Sequence, residues 1–194
     1  DGAYWKGPKD REVDESWPTT GTPSPFYSRH KVAVERLLDR FERTRPETKV
    51  VRLRPALIFK GDAAEEIRRL FIGPFLPSFM VRSGLIPALP RLQGLRFQAV
   101  HSTDAGQPYL RPALSDTEGA FNIAPEPPLD SEELADALDA RTFSLPTPLV
   151  RALADLSWRL RLQPTPPGWL DMALNVPLMS SDRARDELGW EPRF

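Results

Sequence analysis

The chain contains no cysteine, which excludes disulfides, thiolate nucleophiles and Cys-ligated zinc. Histidine is nearly absent too. His30 and His101 are the only two, too few for a His-rich centre, so no metal site is expected. Charge of neither sign is in excess: 26 Lys plus Arg stand against 27 Asp plus Glu, a net charge of -1. With both signs spread along the chain there is no basic face for nucleic acid or an anionic membrane, and no acidic tail. Long hydrophobic runs are missing as well. The longest, Leu70–Val81, is broken by Pro74 and Pro77 and falls well short of the roughly 20 residues that cross a bilayer, so no membrane span is expected. It reads as a pocket wall or core segment, with a hydrophobic lid or membrane contact as the sharper alternative. A signal-like apolar segment is also lacking, and nothing suggests secretion.

What is present suits a folded, loop-punctuated chain. Its 194 residues are 40% hydrophobic, enough for one buried core in one domain or two closely packed pieces. The 22 prolines are about twice the usual share of roughly 5%, and they fall between periodic segments. The chain begins at Asp1 without a Met, which reads as a piece of something longer.

Residues 1–23 are polar and turn-rich, with Gly7-Pro8, Trp17-Pro18 and Gly21-Thr22-Pro23, and predict a long surface loop. Ser24 then supplies an N-cap and Pro25 a first-turn proline. Val34, Leu37, Leu38 and Phe41 recur at helical spacing, predicting a helix from Pro25 to Arg45 that Pro46 stops. Lys49–Arg54 is a short β-rich run ending at Pro55, and a helix followed by such a run is half of a βαβ unit. Further along, a helix is expected over 62–72 and an irregular stretch over 74–94. Short strands are expected at Phe97–His101 and Gly119–Ala124. A helix over Asp104–Leu114 is opposed by Gly106, Pro108 and Pro112. Asp130 and Glu133 form a capping box for a helix to Leu138. Thr147-Pro148 opens another, in which Leu149, Leu153, Leu156 and Leu160 share a face. Short helices at Trp169–Leu174 and Asp182–Leu188, the last stopped by Gly189, complete an α/β reading.

One pair of residues carries the chemistry. Tyr27 and Lys31 stand four apart on the first helix, so both side chains leave one face about a turn from each other. An ammonium close to a phenol favours the phenolate, and this spacing predicts a phenol that exchanges a proton with a substrate alcohol. The helix follows a long polar loop and precedes a strand ending in Arg54-Pro55, the place where α/β folds bind ligands. His30, inside the same segment, reads as a surface or hydrogen-bonded residue. His101 and Asp104 read as a strand-end histidine and a helix N-cap before they read as a dyad. Trp158, Trp169 and Trp190 are core candidates first and stacking platforms second.

The segment Tyr27-Ser28-Arg29-His30-Lys31 resembles the YxxxK motif of the extended short-chain dehydrogenase/reductases, the NAD-dependent epimerase/dehydratases. Other segments resemble that family in its own order. Asp14-Glu15 with Pro18 is similar to its acidic loop before the catalytic helix. Arg52 to Phe59 is similar to its next strand and nicotinamide-side turn. Val100-His101-Ser102-Thr103-Asp104, Phe121-Asn122-Ile123-Ala124 and Glu187 to Pro192 resemble its later signatures. The family's Gly-rich pyrophosphate turn has no counterpart in the sequence, so the chain resembles the carboxy-terminal part of such an enzyme. Asp1-Gly2-Ala3-Tyr4 resembles the residues just after the family's catalytic Ser or Thr, a hydroxyl then expected upstream.

The resemblance implies a partial Rossmann-type α/β fold. Residues 1–60 would be the later part of the NAD(P)-binding domain and residues 61–194 mainly the substrate-binding region. It implies NAD or NADP as cofactor, a small-molecule substrate, and hydride transfer in a cytoplasmic enzyme, with a homodimer compatible. Tyr27 and Lys31 would be catalytic and touch the cofactor, Pro55 and Ala56 would line the nicotinamide, and Gly2, Tyr4 and Leu57 would border the substrate. Leu57 stands where the nucleotide-sugar epimerases usually carry Asn, and Lys60 where Gly is usual. These departures argue against a standard nucleotide sugar; the Arg54-Pro55 turn resembles that of hydroxysteroid-dehydrogenase-like and reductase-like members, and the apolar run Leu70–Val81 suits a less polar substrate. The alternative is a non-catalytic nucleotide-binding or regulatory member, or an inactive fragment. Strand 49–54 is expected to carry apolar residues on both faces, with its flanking strands upstream. The isolated chain should then expose hydrogen-bonding edges, aggregate or pair strands with another chain, and not fold alone, the strand being covered either by a missing part of the protein or by another molecule.

Overall fold

A computed structural model describes residues 1–60, 88–110, 116–137, 141–162 and 166–194. The helix expected at 62–72, the run Leu70–Val81 and most of the stretch 74–94 lie outside the described residues.

Helix α1 runs Phe26–Thr44, as the periodicity predicts, but its start differs. Pro25 is itself the N-cap, with extended backbone at φ -82° and ψ 134°, so the helix begins one residue later and Ser24 does not cap it. The stripe that reveals the helix also faces the other way: Val34, Leu37 and Phe41 are exposed, while Ser28, Val32 and Glu35 are buried. Polar residues cover the inner face because its partner strand is polar on that side. Strand β2, Val51–Pro55, alternates half-buried Val51, Leu53 and Pro55 with buried Arg52 and Arg54. The expectation of two apolar faces is therefore corrected: one face is apolar and the other carries two arginines that reach α1.

Parallel pairing dominates. Strand β1 (Glu12–Val13) pairs with β10 (Leu178–Met179), β2 with β7 (Gly119–Ile123), and β3 (Leu57–Phe59) with β6 (Ala99–His101). The fourth parallel pair joins β4 (Ala88–Arg91) to β9 (Arg141–Ser144), and one antiparallel pair joins β5 (Arg96–Phe97) to β8 (Leu129–Asp130). Parallel pairs need long crossovers, so the ladders tie segments far apart in sequence. Strands β4 and β9 correct the sequence expectation: 88–91 is regular where an irregular stretch is expected, and 141–144 carries no strand signal. Pro90 and the exposed, mixed composition of Arg141–Ser144 hide both from a pattern search. The expectation that the flanking strands of β2 lie upstream is corrected on one side, where β7 of this same chain pairs with it; among the described residues the other side has no ladder partner.

The main core gathers Val100, Phe121, Ile123, Ala184, Leu188 and Trp190, with Val51, Leu53 and Ala56 packed against it. A second cluster holds Tyr4, Ala124 and Met179, and Ala56 touches this one too. Helix α2 (Ser102–Gly106) is short, and its N-cap is His101, which accepts the Thr103 N–H at 3.3 Å. Asp104, expected as the cap, lies inside the first turn. It is fully buried, and its Oδ2 accepts the backbone N–H groups of Arg193 and Phe194. Helix α3 (Ser131–Ala137) carries the expected capping box: Asp130 N–H donates to Glu133 at 2.8 Å and Glu133 N–H to Asp130 at 3.3 Å.

Helix α4 (Thr147–Arg159) forms as expected, yet Leu149, Leu153, Leu156 and Leu160 are exposed, and so is Trp158, which is not a core residue. Helix α5 spans Gly168–Asn175 and α6 Asp182–Leu188. Gly189 ends α6 in the left-handed region, φ 55°, as a C-cap glycine does. Trp190 behind it is fully buried and donates its indole N–H to the Asp104 carbonyl at 2.9 Å.

Candidate active site

The first turn of α1 is placed by a hydroxyl. Ser28 is fully buried; it accepts the Thr22 N–H at 2.7 Å and donates to the Gly2 carbonyl at 2.5 Å. The amino-terminal segment, the polar loop and the helix therefore meet at one oxygen. Gly21 lets this happen: its φ is +70°, and a Cβ there would lie 2.5 Å from Val32 and 2.7 Å from the Ser28 hydroxyl.

Tyr27 and Lys31 project one turn apart on α1, as the spacing predicts. The Tyr27 ring is 37% exposed and stacks on Trp169, with centroids 5.4 Å apart and planes at 29°. Phe26 meets the same indole edge-on at 6.4 Å. Trp169 is thus a stacking partner of the helix start, not a core residue. Gly2 passes against Tyr27 closely enough that a Cβ would lie 2.6 Å from the ring. The Lys31 ammonium lies 3.2 Å from the Asp1 carboxylate. His30 is exposed and meets Phe26 edge-on at 5.8 Å, consistent with a surface role.

Behind this face lies a buried polar network that the sequence reading missed. Glu35, one turn beyond Lys31, accepts Arg54 Nε at 2.8 Å and Nη2 at 2.9 Å. It also accepts Arg52 Nη1 at 2.9 Å, and Arg52 further reaches Asp39 and Glu42. Burial alone would push the Glu35 carboxyl up, but bonds and charge from Arg54 and Arg52 hold it below the usual range. Arg54 continues through Nη1 to the Tyr4 hydroxyl at 2.9 Å and the Glu15 carbonyl at 3.0 Å. The Tyr4 hydroxyl donates to Asn122 at 2.7 Å, and Glu15 accepts the Asn122 N–H at 2.8 Å. Burial pushes the Tyr4 phenol up to about 12, against the opposing pull of Arg54. The available signal was Glu35, at the next i+4 step after Tyr27 and Lys31, facing an Arg-x-Arg strand.

Of the residues expected at the substrate, Gly2 adjoins Tyr27, Leu57 is exposed on β3, and Tyr4 is fully buried with its hydroxyl bonded internally. Pro55 and Ala56 are half-buried at the end of β2, where Ala56 N–H donates to the Ile123 carbonyl at 2.9 Å. His101 and Asp104 do not form a dyad: the histidine packs against Phe194 at 4.8 Å while the carboxylate holds the backbone of Arg193 and Phe194. An open groove of about 460 Å³ lies elsewhere, lined by Asp10, Arg11, Glu12, Arg96, Glu126 and Leu178 among others, and shares no lining residue with the Tyr27 surroundings. Among the described residues no group of acidic or His side chains could hold a metal, and no helix is long and apolar enough to cross a membrane.

No family model matches the sequence, and no curated protein does. Solved structures do match. A UDP-glucose 4-epimerase from Thermus thermophilus, in complex with NAD, superposes with a TM-score of 0.63 at 20% identity, over 99% of this chain and 56% of that one. A nucleoside-diphosphate-sugar epimerase from Pseudomonas aeruginosa gives 0.68 at 18% identity, over 99% and 59%. A dTDP-glucose 4,6-dehydratase from Streptomyces venezuelae, with NAD bound, gives 0.65 at 16% identity, over 100% and 53%. The chain has the fold of these epimerases and dehydratases. It spans somewhat more than half the length of each. At this identity the likeness establishes the fold, and the resemblance of its motifs to the extended short-chain dehydrogenase/reductases gains a structural counterpart.

Proposed function

We propose that the protein is an NAD(P)-dependent epimerase, dehydratase or dehydrogenase acting on a small-molecule alcohol or its carbonyl partner. The observation that carries this reading is the placement of Tyr27 and Lys31 one turn apart at the start of α1, on a fold shared with NAD-bound epimerases and dehydratases. When bound, the nicotinamide supplies or accepts the hydride. Tyr27 would give or take the hydroxyl proton, and Lys31 would hold the ribose.

The residues present fit the nicotinamide half of the cofactor. Tyr27 and Lys31 offer a partly exposed phenol and ammonium, and Pro55 and Ala56 offer half-buried apolar surface at the end of β2. The sequence has no Gly-rich turn for the pyrophosphate. On the substrate side Gly2 leaves room for the phenol and Leu57 presents an apolar face. Tyr4, fully buried with its hydroxyl bonded to Arg54 and Asn122, does not border the substrate as expected. Leu57 at this place favours a substrate less polar than a standard nucleotide sugar.

The test is a screen of the full-length protein with NAD and NADP against UDP- and dTDP-sugars and less polar secondary alcohols. Conversion is followed by chromatography and nicotinamide absorbance. Cofactor-dependent conversion of one class is expected, and a protein that neither binds nor uses either dinucleotide overturns the reading.

A further inference from the structure

We infer that Trp169 is a positioning residue for the Tyr27 phenol, a role that rests on the proposed acid-base function of Tyr27. The two rings overlap at 5.4 Å and 29°, and Phe26 closes on the same indole at 6.4 Å, so Trp169 spans the first two residues of α1. On another side Gly2 confines the phenol: a Cβ there would lie 2.6 Å from the ring, and 3.4 Å from the Met172 sulfur. Trp169 and Met172 both belong to α5, so one helix stacks on the phenol and approaches Gly2 behind it.

That helix is held firmly. Gly168 brings it against the start of α1, since a Cβ there would lie 3.1 Å from the backbone of Ser24 and Pro25. Lys9 donates to the Ala173 carbonyl at 2.8 Å, Gly7 N–H to the Asn175 carbonyl at 3.0 Å, and Arg151 of α4 grips Asp171 at 2.7 and 3.0 Å. Trp169 itself is only half-buried, which is unlike an indole whose purpose is to fill a core. A tyrosine side chain at the first turn of a helix has rotamer freedom, and the stacked indole removes it. Catalysis depends on such placement, and an error of about 1 Å can cost 10²-fold in rate.

The decisive comparison sets Trp169→Leu, which removes the stack, against Trp169→Phe, which keeps an aromatic face. Two readouts apply to the full-length protein. In 3-fluorotyrosine-labelled protein the fluorine resonances of Tyr4, Tyr27 and Tyr109 are each assigned by loss in the matching Tyr→Phe variant. Trp169→Leu should move the Tyr27 line toward that of free fluorotyrosine and leave Tyr4 and Tyr109 in place, while Trp169→Phe should hold it. An unmoved Tyr27 line overturns the inference. In turnover with NAD or NADP and whichever of UDP-glucose or a less polar secondary alcohol the screen finds converted, Trp169→Leu should lower kcat about ten- to hundred-fold with little change in KM, and Trp169→Phe should recover most of it. A loss confined to KM, or none, overturns the positioning role. If Tyr27→Phe itself keeps full turnover, the catalytic reading falls and this role with it. If Tyr27→Phe is inactive and Trp169→Leu is not impaired, the positioning role falls alone.

Discussion

Glu35 grips Arg54 through both carboxylate oxygens, at 2.8 and 2.9 Å, one helical turn beyond Lys31. The face of α1 that presents Tyr27 and Lys31 is thereby bolted to β2, the strand whose end carries Pro55 and Ala56. The proposed acid-base pair and the proposed nicotinamide wall share one rigid frame. Arg52 and Tyr4 extend it, the first to the same helix and the second to Asn122 on β7.

Removing the carboxylate takes from the buried Arg54 guanidinium its Glu35 partner, while Arg52 keeps Asp39 and Glu42. Glu35→Ala should therefore destabilise the protein by about 3–5 kcal/mol, read as a fall in the urea midpoint at neutral pH. The Glu35 carboxyl is held below its ordinary value, so its contribution is present above the unfolded carboxylate pKa and is lost as pH falls through the folded one. The difference between the variant and the unaltered protein should accordingly shrink in acid. At the exposed pair Arg45–Glu47, Glu47→Ala should have no measurable effect. A Glu35→Ala protein as stable as its parent would show that the network is ornamental.

Tyr4 titrates in the opposite sense. Its folded pKa, about 12, lies above the ordinary phenol value of 10.0. The associated stability is complete below pH 10 and is lost as pH rises toward 12. A rise of this size corresponds to about 2–3 kcal/mol, of which about 1 kcal/mol should be gone by pH 11. Comparing urea unfolding at pH 9 and pH 11 in the parent and in Tyr4→Phe isolates this loss, which the variant should lack. An identical pH dependence in both proteins contradicts the burial of this hydroxyl.

Gly2 is expected to tolerate no side chain. A methyl group there would meet the Tyr27 ring at 2.6 Å, forcing the ring or the segment to move. Gly2→Ala should destabilise by about 1–3 kcal/mol and reduce conversion in proportion to the displacement of Tyr27. Unchanged thermal stability and turnover would place Gly2 away from Tyr27 in solution.

Much of this frame was legible before the fold was known, because strong local signals agree with it. Pro25, Pro46, the capping box at Asp130 and Glu133, and Gly189 mark helix ends through backbone chemistry that tertiary contacts do not override. The i, i+4 spacing of Tyr27 and Lys31 is likewise local. Features fixed by distant contacts stayed hidden. Nothing near Arg52 and Arg54 in sequence says that they turn inward, since their partner Glu35 lies on the preceding helix. The exposed stripe Val34, Leu37 and Phe41 reads as a core face when it is not. Trp169 looks like any other helix tryptophan until α5 is brought against the start of α1.

The central claim, that Tyr27 moves the proton, is tested most directly by Tyr27→Phe in the full-length protein. Turnover and cofactor affinity are measured together, with the cofactor and substrate class that the screen identifies. Only the hydroxyl is deleted and the ring that stacks on Trp169 remains. Turnover should fall by about 10²–10⁴-fold, while the dissociation constant for the cofactor stays within about threefold. Turnover that survives the loss of the hydroxyl would contradict the account.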